Sequence, residues 1–273
     1  MEFLRYIFGF DSDSPLLFTQ FYFWAFFALV YSVFAIIMEV GSRGAQEKGR
    51  NTRLHLRNIF LLAVSWFFYY KTSGLFLLIL VFITLSDWLI AERIHNAKIE
   101  KRETRAKWWL TLSVVIDLGL LCYFKYAYFF TNVVNDLLGT EFVVFDIFAY
   151  IGNGLSANGR FMVDSIILPV GISFYLFQVM SYTIDVYRGQ VKPVKSILDF
   201  GFYVSFFPSL VAGPIVRANE FIPQLYRPFR LSRRLAGLAV FWILNGLIKK
   251  IVLSDYLAIN LIDRVFENPL LFS

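Results

Sequence analysis

Cysteine, histidine and charge are what this sequence has least of. Its 273 residues include one Cys, two His and only 17% Asp, Glu, Lys and Arg, beside 58% hydrophobic residues. A soluble domain has about 25% charged and 45–50% apolar residues, so an ordinary cytosolic enzyme and a disordered chain are both excluded. The lone cysteine, Cys122, rules out an intramolecular disulfide and any paired-cysteine metal site. It lies in the apolar run 118–123, where a free thiol is expected to serve as a small core hydrophobe. His55 and His95 fall among Arg53, Arg57, Arg93 and Lys98, in basic stretches that read as solvated loops. Neither has a partner at metal-ligand spacing, so no metal site is expected. Also missing are the G-x-x-x-x-G-K, G-x-G-x-x-G and G-x-S-x-G patterns, and with them a phosphate-cradling loop or a serine nucleophile elbow. No internal repeat, low-complexity tract or Ser/Pro-rich linker divides the chain, which reads as one membrane domain over 1–273.

What is there is apolar and aromatic: 32 Phe, 15 Tyr and 6 Trp, gathered into long runs. A helix of about 20 mainly apolar residues crosses roughly 30 Å of hydrocarbon. Runs at 16–40, 58–70, 75–91, 108–135, 166–187 and 235–254 are the candidate spans, the second and third forming a tight helical hairpin. The acidic start, 1–15, does not suit a cleaved signal peptide, so the first span is expected to be retained.

Charge orients these spans, because short cytoplasmic loops are enriched in Lys and Arg. The segments 41–57, 92–107, 188–195 and 217–234 hold five, six, three and five basic residues, 19 of the 26 in the chain. Segment 136–165 has one Arg against four acids, and 1–15 one Arg against three. With the N-terminus outside, every loop obeys the rule. The net charge of +6 is then topological, and the expected partner is a lipid bilayer, with no nucleic acid. The apolar segment 200–216 contains Gly201, Pro208, Gly213 and Pro214 and would place the basic 217–234 outside if it crossed. Irregular backbone at membrane depth is tolerated only inside protein or beside water. The expected fold is therefore an all-α polytopic integral membrane protein, a bundle of about six or more transmembrane helices with a Pro/Gly-broken re-entrant segment at 200–216.

Polar groups at membrane depth are costly and so are functional candidates. Gly171, Gln178 and Asp185 recur every seven residues on the run 168–187, with Ser181 beside them and Pro169 in the first turn. This stripe serves either interhelical hydrogen bonding or a lined substrate path. Asp117 and Lys125 are eight residues apart, about 12 Å along a helix. No direct pair is expected; Asp117 faces the bundle and Lys125 snorkels. Composition and spacing stop at a polytopic membrane protein with a polar path.

Four stretches carry more. They are LGLLCYFKYAYFF (118–130), LPVGISFYLFQVMSYTIDVYRG (168–189), FFPSLVAGPIVRANEFIPQL (206–225) and IKKIVLSDYLA (248–258). In this order they resemble the membrane-bound O-acyltransferase family, in its bacterial alginate O-acetyltransferase-like branch, with one departure at Asp117, where the pattern has Asn. The resemblance implies transfer of an acetyl group from cytoplasmic acetyl-CoA to hydroxyls of an exported polysaccharide such as alginate. It implies residence in the bacterial cytoplasmic (inner) membrane and a separate extracytoplasmic acetyltransferase partner protein. No bound cofactor is implied, acetyl-CoA being a substrate. The matched motifs make Gln178, Asp185, Tyr187, Arg188, Pro214, Arg217 and Glu220 the substrate-path candidates. None is assigned a catalytic role, because the family's two histidine motifs follow the stretch that 248–258 matches and are expected to lie beyond Ser273, the last residue of the sequence. His55 and His95 do not match them. The resemblance thus implies that 1–273 is roughly the first half of an acyltransferase, inactive alone. The competing reading, from the residues, is a transporter or channel that uses the polar stripe without covalent chemistry.

Overall fold

A computed structural model describes residues 21–40, 47–155, 163–210, 213–227 and 232–267. The acidic start, the first residues of the 16–40 run, parts of the loops 41–57, 136–165 and 217–234, and the last six residues up to Ser273 lie outside the described residues. Everything regular within them is helical. The helices are α1 (Phe21–Val40), α2 (Glu47–Ser73), α3 (Leu77–Ile99), α4 (Glu103–Leu138), α5 (Ile147–Leu155), α6 (Ile172–Tyr187), α7 (Ile197–Ser205), α8 (Phe207–Leu210), α9 (Ala218–Leu225), α10 (Arg233–Ile248) and α11 (Asp263–Glu267). A single 3₁₀ turn, Gly74–Phe76, joins α2 to α3. Among the described residues Leu54–Ile99, Glu103–Leu138 and Arg233–Glu267 are long and apolar enough to cross a membrane, and Phe23–Met38 is a shorter apolar helix. The chain is an all-helical polytopic membrane protein.

The described residues form two compact units, one of Phe26–Arg227 and a smaller one of 21–25 with 232–267. In the smaller unit Ser232 caps α10 by accepting from the Leu235 amide at 3.2 Å. Past α10 the backbone widens into π turns at Lys249–Asp255 and Ala258–Ile262, so helical structure continues beyond the apolar run to Glu267. No residue of α10 is buried, as suits a helix whose apolar surface meets lipid tails.

The larger unit is built on α3, α4 and α6, which pack against one another. Leu80, Ile83, Ala91 and Ile94 of α3 meet Leu121 and Phe124 of α4 and Tyr175, Leu176, Val179 and Tyr182 of α6 in one buried cluster. A second pairing sets α7 on α2, with Gly201 close enough to Leu62 that a Cβ there would lie 3.5 Å from its side chain.

Three expectations need correction. His55 and His95 stand on helices, near the start of α2 and the end of α3, because helix continues from the apolar runs into the basic stretches. Cys122 is exposed on α4. In a bilayer the outer face of a helix is as apolar as its inner face, so an apolar run does not say which residues are interior. The helix at 168–187 begins only at Ile172. Gly171 is its left-handed N-cap (φ +74°), so Pro169 and Gly171 precede the helix and do not share the face of Gln178 and Asp185. A left-handed φ is costly for residues with a Cβ and free for glycine.

Candidate functional site

Residues 197–227 enter and leave the larger unit at one end, the end bearing the basic turns at 99–103 and 188–196. α7 starts there, capped by Ser196, whose Oγ accepts from the Asp199 amide at 3.3 Å. It stops after nine residues at Phe206, whose backbone (φ −56°, ψ 106°) leaves the helix. The Phe207 amide then donates to Ser65 Oγ on α2 at 3.3 Å. Ser65 lies seven residues beyond Asn58, about 10 Å along α2, against a hydrocarbon core of about 30 Å. The chain turns through α8 and the extended 213–217, and α9 brings it back. The segment returns to the end it started from, its helix broken where Gly213 and Pro214 stand.

A polar clasp closes it. Asn58 Nδ2 donates to Asp199 Oδ1 at 2.8 Å, and the Tyr226 hydroxyl donates to Asp199 Oδ2 at 2.7 Å. Arg57 donates from Nε and a terminal nitrogen to Asn58 Oδ1, both at 3.1 Å, from its other terminal nitrogen to the Arg227 carbonyl at 3.2 Å, and also to the Leu225 carbonyl. The last two are carbonyls at the C-terminal end of α9, which lack intrahelical donors. Burial and the adjacent Asp199 carboxylate push the Tyr226 hydroxyl well above its usual range, so its proton stays on and it remains the donor. Tyr226→Phe removes one charge-assisted hydrogen bond from a half-open position and should cost about 1 kcal/mol. Reversible unfolding in mixed micelles measures it, and a variant as stable as the parent would show that Asp199 needs no second donor.

The expected site residues are distributed around this segment. Gln178 is buried, and its Nε2 donates to the Tyr203 carbonyl on α7 at 2.8 Å. The Tyr203 hydroxyl donates in turn to the Val216 carbonyl at 2.9 Å. Gln178 on α6 is thereby linked through Tyr203 to the extended stretch holding Pro214 and Arg217. Asp185, two turns along α6, is 6% exposed, and its carbonyl closes the helix on the amides of Gln190 and Val191. Tyr187 lies under Lys98 Nζ, 4.6 Å from its ring centroid, and Lys98 also pairs with Glu103 at 3.1 Å. These contacts gather the ends of α3 and α6 and the start of α4. Arg188, Pro214, Arg217 and Glu220 are exposed. Arg217 is the N-cap residue of α9, its carbonyl accepting from the amides of Glu220 and Phe221 at 3.1 Å. Glu220, in the first turn, stands where an acid suits the helix dipole. Pro214, Arg217 and Glu220 thus lie together, Gln178 is coupled to them, and Tyr187 and Arg188 sit at the neighbouring helix end. Ser273, the position past which the family's histidine motifs are expected, lies outside the described residues.

Sequence reasoning did not single out Asp199, Asn58, Tyr203 or Tyr226. The usable signal was Asp199 as the only charge in the apolar stretch 197–216. Among the described residues no group of three or more His, Cys, Asp or Glu could hold a metal.

A broken helical segment clasped into an all-helical polytopic bundle defines the class, a membrane protein with long apolar helices. Comparison with known proteins narrows it. The chain is 37% identical to the probable alginate O-acetylase AlgI of Azotobacter vinelandii over 203 residues, 74% of this chain and 37% of that protein. It is 36% identical to the probable alginate O-acetylase AlgI of Pseudomonas aeruginosa over 216 residues, 78% of this chain and 38% of that protein. A peptidoglycan O-acetyltransferase of Helicobacter pylori is 28% identical over 223 residues, 72% of this chain and 38% of that protein. The matched residues are similar to those of the alginate O-acetylases, relatives of the membrane-bound O-acyltransferase kind. The chain spans well under half the length of the curated relatives it matches. No family model and no solved structure matches it.

Proposed function

We propose that this chain supplies the N-terminal membrane part of an O-acetyltransferase that moves acetyl from cytoplasmic acetyl-CoA to hydroxyls of an extracytoplasmic polysaccharide such as alginate. The observation that carries this reading is the similarity to proteins named as O-acetylases across about three quarters of the chain. The broken segment supports it, because it holds Pro214 and Arg217 in irregular backbone, and Glu220 in the helical turn that follows, at the basic end of the bundle. With that end in the cytoplasm of a bacterial inner membrane, exposed Arg217 and its basic neighbours attract the anionic phosphates of a CoA donor. The acceptor, and an extracytoplasmic acetyltransferase partner protein, belong to the opposite face.

Acyl transfer to a hydroxyl needs a base to take the acceptor's proton while the thioester C–S bond breaks and the thiol leaves protonated. His55 and His95 do not match the family's histidine motifs, and no candidate residue is assigned the base, so 1–273 by itself is proposed to be inactive. Disrupting the gene in its source organism should remove most ester-linked acetate from the exported polysaccharide; unchanged acetate overturns the assignment. Purified 1–273 should hydrolyse acetyl-CoA no faster than a vector control, and turnover above it overturns the inactivity.

A further inference from the structure

Three carboxyl oxygens in the three-helix core have no donor to hold them. Asp87 on α3 is 1% exposed and Asp117 on α4 is 0% exposed. Ser113, one turn before Asp117, donates to Asp87 Oδ1 at 2.6 Å. Its oxygen is 3.1 Å from Thr183 Oγ1 on α6, and Thr183 directs its own hydrogen to the Met180 carbonyl at 3.1 Å. Asp87 Oδ2 and both oxygens of Asp117 have no hydrogen-bond partner.

Counting hydrogens makes the deficit plain. Ser113 and Thr183 offer one each, the first is committed to Asp87 and the second to a backbone carbonyl. Four carboxyl oxygens therefore receive one donor. An ionised carboxylate accepts hydrogen bonds and donates none, so two ionised groups cannot satisfy each other. Asp117 stands one turn beyond Ser113, the residue bonded to Asp87, so both carboxyls lie at the α3–α4 contact. Among the described residues no cation stands against either carboxyl. From α6 come Thr183 and the Tyr182 hydroxyl, which accepts from the Val194 amide at 3.0 Å. On α7, Asp199 is already held by Asn58 and Tyr226. The site lies deep. Asp117 is nine residues beyond Trp108, the start of the apolar run, which is about 13 Å along α4 and close to half of a 30 Å hydrocarbon core. Two bare charges there would be costly to keep.

We propose that Asp87 and Asp117 form a proton-binding site, one proton being held between their facing oxygens as a carboxyl–carboxylate hydrogen bond. The pair then carries one negative charge, which Ser113 shares through Asp87 Oδ1. The ligand is a proton, and the remaining candidate, an alkali cation on the same oxygens, is an outcome of the test. This inference does not depend on the acetyltransferase reading.

The direct measurement is infrared spectroscopy of purified full-length 1–273 in lipid nanodiscs. At pH 7 the parent should show the C=O stretch of a buried protonated carboxyl, shifted in heavy water. Asp117→Asn should lack it, because its amide donates to Asp87 Oδ2 without a titratable proton. Stability supplies a second reading. A folded state that keeps one proton more than the unfolded chain loses stability as pH rises from the ordinary carboxyl range towards the site's own titration, about tenfold in the unfolding constant per pH unit. The parent should show that slope between pH 5 and 7 relative to Asp117→Asn, and the two should run parallel once the pair has lost its proton. If Asp117→Asn does not fold, the parent's infrared band and its titration decide alone. Absence of a protonated-carboxyl band at pH 7 overturns the proposal. So does a parent whose Tm rises with Na⁺ or K⁺ over choline at pH 7, which would put a metal cation where the proton is placed.

Discussion

Arg57→Ala should lower the unfolding free energy by about 3 kcal/mol and make 213–227 the first part of the larger unit to be cut by a protease. The guanidinium is 6% exposed and serves three acceptors: Asn58 Oδ1 and the carbonyls of Leu225 and Arg227. Hydrogen bonds from a charged donor are worth about 1.5–3 kcal/mol each, and an acceptor left dry costs a further 1–3. The sum of separate terms overshoots, because the freed carbonyls at the end of α9 can relax toward headgroup water, so about 3 kcal/mol is the expected net. Lysine cannot replace the fork: one ammonium reaches one carbonyl and leaves Asn58 and the other carbonyl without it. Arg57→Lys should therefore fall between parent and alanine. Tyr226→Phe should add little on top of Arg57→Ala, since both act through the same clasp, and a double-mutant cycle reads that coupling. Arg57→Ala within 0.5 kcal/mol of the parent, with an unchanged cleavage pattern, would show that the clasp does not hold the segment.

Arg57 also shows what was legible in the sequence and what was not. The all-helical class, the apolar runs and the broken segment at 200–216 follow from one-dimensional signals: apolar length, charge bias, and the misfit of Gly and Pro with continuous helix. Arg57 was counted among the basic residues of a loop, and that count says nothing of where a guanidinium points. Its partners are 168 and 170 residues away in sequence. Asp87 was missed for a related reason. It is one acid in a strongly apolar run, and only the packing of α3 on α4 brings it to Ser113 and Asp117. Gln178 was legible as a buried polar residue. That its bond goes to the Tyr203 carbonyl required a helix, α7, whose start and stop no periodicity marks. The helix start at Ile172 was misjudged because Pro169 is compatible with a first helical turn, and only the left-handed Gly171 excludes it.

Gly213→Ala is the substitution expected to disturb the broken segment most directly, because the obstacle is backbone. A Cβ on residue 213 would lie 2.3 Å from Ser209 Cα, 2.7 Å from its Cβ and 2.8 Å from its carbonyl oxygen. None of these can swing aside as a side chain would. The Gly213 amide donates to the Ser209 carbonyl at 2.9 Å, so moving residue 213 away also breaks the bond that ties it to α8. Overpacking of this kind costs about 1–3 kcal/mol, and the upper part of that range is expected because relief requires a backbone shift. The shift would carry Val216 from the Tyr203 hydroxyl and displace Pro214 and Arg217. If the proposed acetyl transfer holds, its loss in Gly213→Ala should then exceed that in Arg217→Ala, which alters one exposed side chain and leaves the path of the chain alone. Gly119→Ala is the matching control. Nothing lies within 4 Å of its Cβ position on α4, and alanine is a better helix former than glycine by about 1 kcal/mol, so that variant should be neutral or slightly more stable. If Gly213→Ala is as harmless as Gly119→Ala in both stability and acetyl transfer, the close approach of residue 213 to Ser209 is not what shapes the turn, and the positions of Pro214 and Arg217 must be set by the clasp alone.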